Sequence, residues 1–255
     1  MKVTNRREAM LQAVQSGMTD VGALCEHFGM SEATVRRDLR ALADEHRIVR
    51  TYGGAAASVG MHEPEESLDS RRESFREQKA AIAQVAAGHV LDGDTIFLDG
   101  GTTTAAMARL LVGRREIHVV TNNLLAVSIL GTSAVPVTLI GGDLRSSSMS
   151  TLGPLAQLAL SRVSVDKAFL GADGVVAGRG LCEASAEQAY LKECVIRQAA
   201  HVFVLVTSNK LDHASQQHWT PLERDWTLVT DAHPDAPEME KFLLRGEVTI
   251  ETVPH

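Results

Sequence analysis

From Thr95 onward, short apolar and β-branched runs alternate with helical patterns, and no other feature constrains the fold as strongly. Strands are predicted over 95–98, 118–121, 137–140, 167–170, 202–206 and 227–229, and helices over 102–111 and 124–130. Strand-helix order of this kind builds an α/β domain, with a mostly parallel sheet covered by helices and a ligand site beyond the C-terminal strand ends. Those ends carry the residues with the most chemistry. Asp99, Gly100, Gly101, Thr102, Thr103 and Thr104 join a strand to a helix, offering backbone amides and hydroxyls suited to a phosphate. Thr121 and Asn122 end the next strand, Gly141, Gly142 and Arg145 another, while Asp173 and Lys210 add a carboxylate and an ammonium. Glu187 and Lys192, on a helix around 185–200, are further candidates. The alternative for each motif alone is that glycine and threonine serve only the turn. Five such ends in one sheet favour an anionic small-molecule site.

The first 54 residues read differently. A helix is predicted over 5–16. A second, capped by Thr19 or Asp20, carries Val21, Leu24, Cys25 and Phe28 and stops at Gly29. Ser31 caps a third, in which Val35, Leu39 and Leu42 form the buried stripe. Opposite that stripe lie Ala33, Arg36, Arg37 and Arg40, with Ser31, Glu32 and Thr34 at the helix start. This is the layout of a recognition helix: arginines reach guanine edges or phosphates, and small polar residues at the start read bases. The alternating run 47–54, ending in Gly53-Gly54, suits a hairpin wing with Arg50 and Tyr52 near the DNA. The bundle is thus an α+β winged helix-turn-helix, and double-stranded operator DNA is the expected partner.

Charge separates the two parts. Residues 1–54 hold 8 Lys/Arg against 7 Asp/Glu, whereas the rest holds 17 against 25, so DNA contact is expected only from the first part. The segment 58–78, polar and charged, reads as a linker between a DNA-binding domain at 1–57 and a sensing domain at 79–255; a helix is predicted over 74–90. No apolar run approaches membrane-spanning length and no apolar region follows the basic N-terminus, so a cytoplasmic protein is expected. Cys25, Cys182 and Cys194 are scattered without metal-like spacing, so neither a disulfide, a metal site nor a cofactor is expected.

Ser-x-x-Thr-Val-Arg-Arg-Asp-Leu from Ser31, followed by Ile-x-Arg-x-x-Gly-Gly-Ala from Ile48, resembles the DeoR family of bacterial transcription regulators. The resemblance continues through Ile-Phe-Leu-Asp-x-Gly-Thr-Thr, Val-Val-Thr-Asn, Leu-Ile-Gly-Gly-x-Leu-Arg and Phe-x-Gly-Ala-Asp-Gly. It implies a sensor domain similar in fold to ribose-5-phosphate isomerase and glucosamine-6-phosphate deaminase. It also implies a phosphorylated sugar or related ester as effector, a homodimer or homotetramer, and a repressor of carbohydrate metabolism that is not an enzyme. The competing expectation is a sugar-phosphate isomerase or deaminase with an appended DNA-binding module. Gly100 stands where the family often has serine and Thr207 where it often has aspartate, and Gly-Leu-Cys-Glu-Ala-Ser at 180–185 departs from the commoner Gly-Leu-Thr-Thr-Pro-Asn.

Overall fold

The computed structural model describes residues 3–15, 18, 20–44, 48–51, 54–57 and 65–254, which divide into two compact units, Met1–Glu63 and Pro64–His255. In the first unit α1 (Val3–Gln15), α2 (Val21–Phe28) and α3 (Glu32–Asp44) precede an antiparallel hairpin of β1 (Ile48–Thr51) and β2 (Gly54–Ala57). Asp20 caps α2 by accepting from the Ala23 amide, and Gly29 closes it at φ 60°, a left-handed setting that glycine takes without a Cβ penalty. Met10, Val14, Leu24, Val35, Leu39 and Leu42 form a separate apolar core, with the predicted α3 stripe inside it. Asp38 is buried in the same bundle and held by Arg6 (2.6 Å) and Arg7 (3.2 Å). Burial raises its pKa, but the two guanidiniums outweigh that and hold the carboxyl below its ordinary value.

In the second unit, part of the segment expected as linker is helical. Ser67 accepts from the Ser70 amide to cap α4 (Leu68–Glu73), and α5 (Arg76–Gly88) follows. Then come β3 (Thr95–Leu98), α6 (Thr102–Leu110), β4 (His118–Thr121), α7 (Leu124–Leu130) and β5 (Val137–Leu139). A hairpin of β6 (Asp143–Arg145) and β7 (Ser150–Leu152) leads into α8 (Pro154–Leu160) and β8 (Val165–Leu170). Next are β9 (Gly174–Val176), β10 (Gly180–Glu183), α9 (Ala186–Gln198) and β11 (Ala199–Leu205). The unit ends with β12 (His218–Thr220), β13 (Trp226–Thr230), α10 (Glu240–Leu243) and β14 (Val248–Thr252).

Seven strands make one sheet in the order β14-β13-β11-β8-β3-β4-β5, every pair parallel, as the alternation predicted. Successive residues of a strand face opposite sides. In β3, Ile96 and Leu98 pack with Ile82, Met107 and Leu130 of α5, α6 and α7, while Phe97 joins Ala156, Leu160, Leu191 and Val195 of α8 and α9. Strands buried on both faces, with helices on each side, explain the near-continuous apolar runs. A second, antiparallel sheet, β12-β10-β9, carries the 180–183 segment. No described helix is long and apolar enough to cross a membrane.

Candidate functional site

On α3, Ser31, Glu32, Ala33, Arg36, Arg37 and Arg40 are all exposed, and Ala33 with the three arginines lines one surface hollow. Glu32 holds Arg36 at 2.6 Å, whereas Arg37 and Arg40 make no ion pair among the described residues. Ser31 and Thr34 share a hydrogen bond of 3.0 Å at the helix start. Arg50 pairs with Ala55 in the hairpin; its side chain, like Tyr52 as a whole, lies outside what is described. Arg37 and Arg40 are thus the exposed cations of α3 without an ion pair among the described residues. Arg37→Ala is expected to weaken operator binding by about 1–3 kcal/mol, measured by fluorescence anisotropy, with ligand binding to the second unit unchanged. An unaltered operator affinity would remove α3 from recognition.

At the C-terminal ends of β3, β8 and β11, Gly100, Gly101, Thr102, Thr103, Thr104, Asp173, Thr207 and Lys210 surround a cavity of about 50 Å³. No side chain caps α6, so its first-turn amides are available to an anion. The Thr104 hydroxyl donates to Asp99 O (2.6 Å), folding the turn onto itself. Below it, Asp99 accepts from the Gly100 amide (2.7 Å) and the Gly171 amide (3.2 Å) and pairs with Lys192 at 3.2 Å. Lys192 also donates to Glu183. Both Lys192 and Glu183 are buried. Burial pushes Glu183 up to about 8, against the pull of Lys192, while Asp99 and Glu183 more than offset the burial of Lys192 and keep its ammonium charged. Lys210 donates to Ala172 O at 2.6 Å, and Asp173 accepts from the Ala184 amide at 3.1 Å.

Other candidates lie elsewhere. Arg145 faces Glu65 and does not line the cavity. Glu187 is exposed; its neighbour Gln188 lines the cavity instead, because positions 188 and 192 share the inner face of α9. Gly141 and Gly142 are also outside. Gly142 sits at φ 136°, where a Cβ would come within 2.2 Å of Leu152 O, so its role is closure of the β6–β7 hairpin. Thr121 donates to Leu98 O (2.5 Å) and accepts from the Asn123 amide, a purely structural engagement. Asn122 is buried, donates to Thr151 O, and leaves its Oδ1 without a partner.

Glu66 and Arg71, from the segment read as linker, line the cavity, as does Lys79, the first residue of the expected sensing domain. Lys79 donates to Arg71 O (2.5 Å) and Ser74 O (2.7 Å). Burial first, and the nearby Lys210 second, bring its pKa down to about 8. Arg71 Nε is buried and unpartnered among the described residues. Their sequence signal was weak, since charge runs ordinarily mark solvated surface.

Residues 6–59 match the DeoR-like helix-turn-helix domain family and residues 74–232 the DeoR C terminal sensor domain family. The chain is 30% identical over 243 residues to the glycerol-3-phosphate regulon repressor of Escherichia coli K12, covering 94% of this chain and 95% of that one. It is 29% identical over 239 residues to the lactose phosphotransferase system repressor of Streptococcus mutans, covering 92% and 94%. Among solved structures, ribose 5-phosphate isomerase A from Methanocaldococcus jannaschii aligns with 54% of this chain and 55% of its own, at 24% identity and TM-score 0.40.

Proposed function

The chain belongs to the DeoR family of transcription regulators, and from that premise we propose a DNA-binding repressor governed by a phosphorylated sugar or related phosphate ester. One observation carries the ligand half of this reading: the uncapped start of α6 meets Arg71, Lys79 and Lys210 around a single cavity. A helix N-terminus with several cations is complementary to a phosphate dianion. Asp173, Gln188 and the Glu183–Lys192 pair offer acceptors and donors to the hydroxyls of the remaining ester. Relatives named for glycerol 3-phosphate and lactose phosphotransferase regulons support an effector from carbohydrate metabolism. A helix-turn-helix of this size reads two half-sites in pairs, so the working form is a homodimer or homotetramer whose module spacing the effector alters.

We read the site as binding without turnover. Asp99 is committed to two amides and Lys192, and Glu183 to Lys192, which leaves neither carboxylate poised as a base over a substrate carbon.

The test is titration of operator complexes with a panel of sugar phosphates and their dephosphorylated counterparts. Only the esters are expected to change operator affinity, and the active ester should be recovered unconverted. Equal response to sugar and ester would remove the phosphate reading. A pH series adds a sign. A dianion favours charged Lys79, so its pKa of about 8 rises in the complex and binding takes up protons. Protonation of Glu183, also at about 8, acts in the same direction. Affinity is therefore expected to fall from pH 7 to pH 9, by up to about tenfold per pH unit above 8 for a single coupled group. Affinity that rises over that range would contradict the assignment.

A further inference from the structure

Glu65 stands two residues beyond the first compact unit and is already inside the second. Its carboxylate is gripped by both terminal nitrogens of Arg145, Nη1 to Oε1 at 2.9 Å and Nη2 to Oε2, while Arg71 Nη2 approaches Oε1 at 3.3 Å. All three side chains are largely buried, at 18%, 17% and 14% exposure, so this is a built site. Two guanidiniums around one oxyanion group are what a phosphate would receive. Arg71 belongs to both places: it holds Glu65 through Nη2, and it lines the cavity at the α6 start, where its Nε is buried without a partner among the described residues. Its backbone carbonyl also accepts from Thr102 and Lys79. The cavity itself is too small for a sugar phosphate until side chains move. Finally, α4 turns into α5 through Phe75 at φ 54°, a left-handed setting unfavourable for a bulky residue, so the α4 position is one that the surrounding contacts must enforce.

We propose that Arg145 and Arg71 form an anion subsite adjoining the effector cavity, which Arg71 also lines, and that Glu65 is its tethered occupant, competing with the effector's phosphate. The proposal rests on the phosphate-ester reading above. An arriving phosphate draws the guanidiniums to itself and displaces Glu65. Because Glu65 follows the DNA-binding unit directly in the chain, its release alters the leash on that unit. Glu65 thereby fixes both the threshold at which effector acts and the DNA-binding state in its absence: a ligand must outbind a neighbour of high effective concentration.

The experiment uses the full-length protein and the isosteric E65Q, with D69N as a control. Asp69 lies on α4, is 94% exposed and does not line the cavity, so its neutralisation reports the general effect of removing one negative charge. Binding of inorganic phosphate, glycerol 3-phosphate and fructose 6-phosphate is measured by calorimetry, and operator affinity by anisotropy. Thermal unfolding verifies that each variant is folded, and E65A provides a second removal of the carboxylate. E65Q and E65A are expected to bind the phosphate probes at least tenfold more tightly than wild type, and D69N less than threefold. Without effector, E65Q should have the operator affinity of ester-saturated wild type. Wild-type binding of a phosphate probe with no gain in E65Q and E65A, or an equal gain in D69N, would overturn the tethered-occupant proposal while leaving the phosphate site standing. If no probe binds wild type or either Glu65 variant, the phosphate reading itself fails.

Discussion

Asn123→Ala is expected to destabilise the sensor unit by about 3–4 kcal/mol, the sum of a lost helix cap and two lost buried hydrogen bonds with the desolvation they leave behind. Asn123 is fully buried at the end of β4. Its Oδ1 caps α7 by accepting from the amides of Leu125 (2.9 Å) and Ala126 (3.3 Å). Its Nδ2 reaches the other way, to Asp99 O (3.0 Å) and Gly101 O (2.9 Å), and so ties the phosphate-facing turn to the neighbouring strand. One side chain thus joins two strand ends, and its loss should also abolish effector response. Trp219 and Trp226, the chain's two tryptophans, both lie in this unit, so denaturant unfolding followed by their fluorescence reads it selectively. Asn123→Asp keeps the cap acceptor and loses the amide donor, and should be intermediate. A loss below about 1 kcal/mol for alanine would mean that the turn holds itself through Thr104 alone.

Lys192→Met should cost still more, about 3–5 kcal/mol, the usual penalty for removing one partner of a buried ion pair. Asp99 would then be left among its amide donors without a cation, while Glu183 would be driven further toward its neutral form. Adding Asp99→Asn removes the stranded charge and is expected to return more than half of the loss; a double variant no more stable than the single would refute the electrostatic account. The wild type carries its own signature of this cluster. Glu183 has a folded pKa raised to about 8, so its contribution is fully present below the ordinary glutamate range and is lost as pH rises through 8. Stability of the sensor unit should accordingly decline from about pH 4.5 to pH 8 and level off above it.

The parallel sheet was legible because its strands are buried on both faces. Residues 95–98 and 119–121 are continuous apolar or β-branched runs, and the predicted 95–98 and 118–121 are β3 and β4 to the residue. The last strand, Val-Thr-Ile-Glu-Thr, is at the sheet edge, where half-exposed positions admit Thr and Glu and erase the signal. The β6–β7 hairpin was invisible for another reason: Ser148, Ser150 and Thr151 are buried polar residues, the two serines hydrogen-bonded to each other and Thr151 to Asn122 and Ile140, and no apolar alternation marks them. That hairpin carries Arg145 toward Glu65. On the site, glycine and threonine at strand ends marked the α6 turn, whose helix start carries no side-chain cap. Arg71 and Lys79 went unread because their burial depends on α4 folding back, and a charged stretch with few apolar residues gives no hint of that. For Glu187 and Gln188 the helical period held the answer, since Lys192 lies one turn from position 188 and not from 187.

The order of the seven-stranded sheet also has a consequence for synthesis. β3 must wait for β8, and β13 for β14, the last strand in chain order among those described. The first unit has its own core and is complete by residue 57. On the ribosome, the arginine-bearing helix is therefore finished long before the chain can sense anything. A translation product halted in between would carry the exposed Arg36, Arg37 and Arg40 of α3 without the sensor domain.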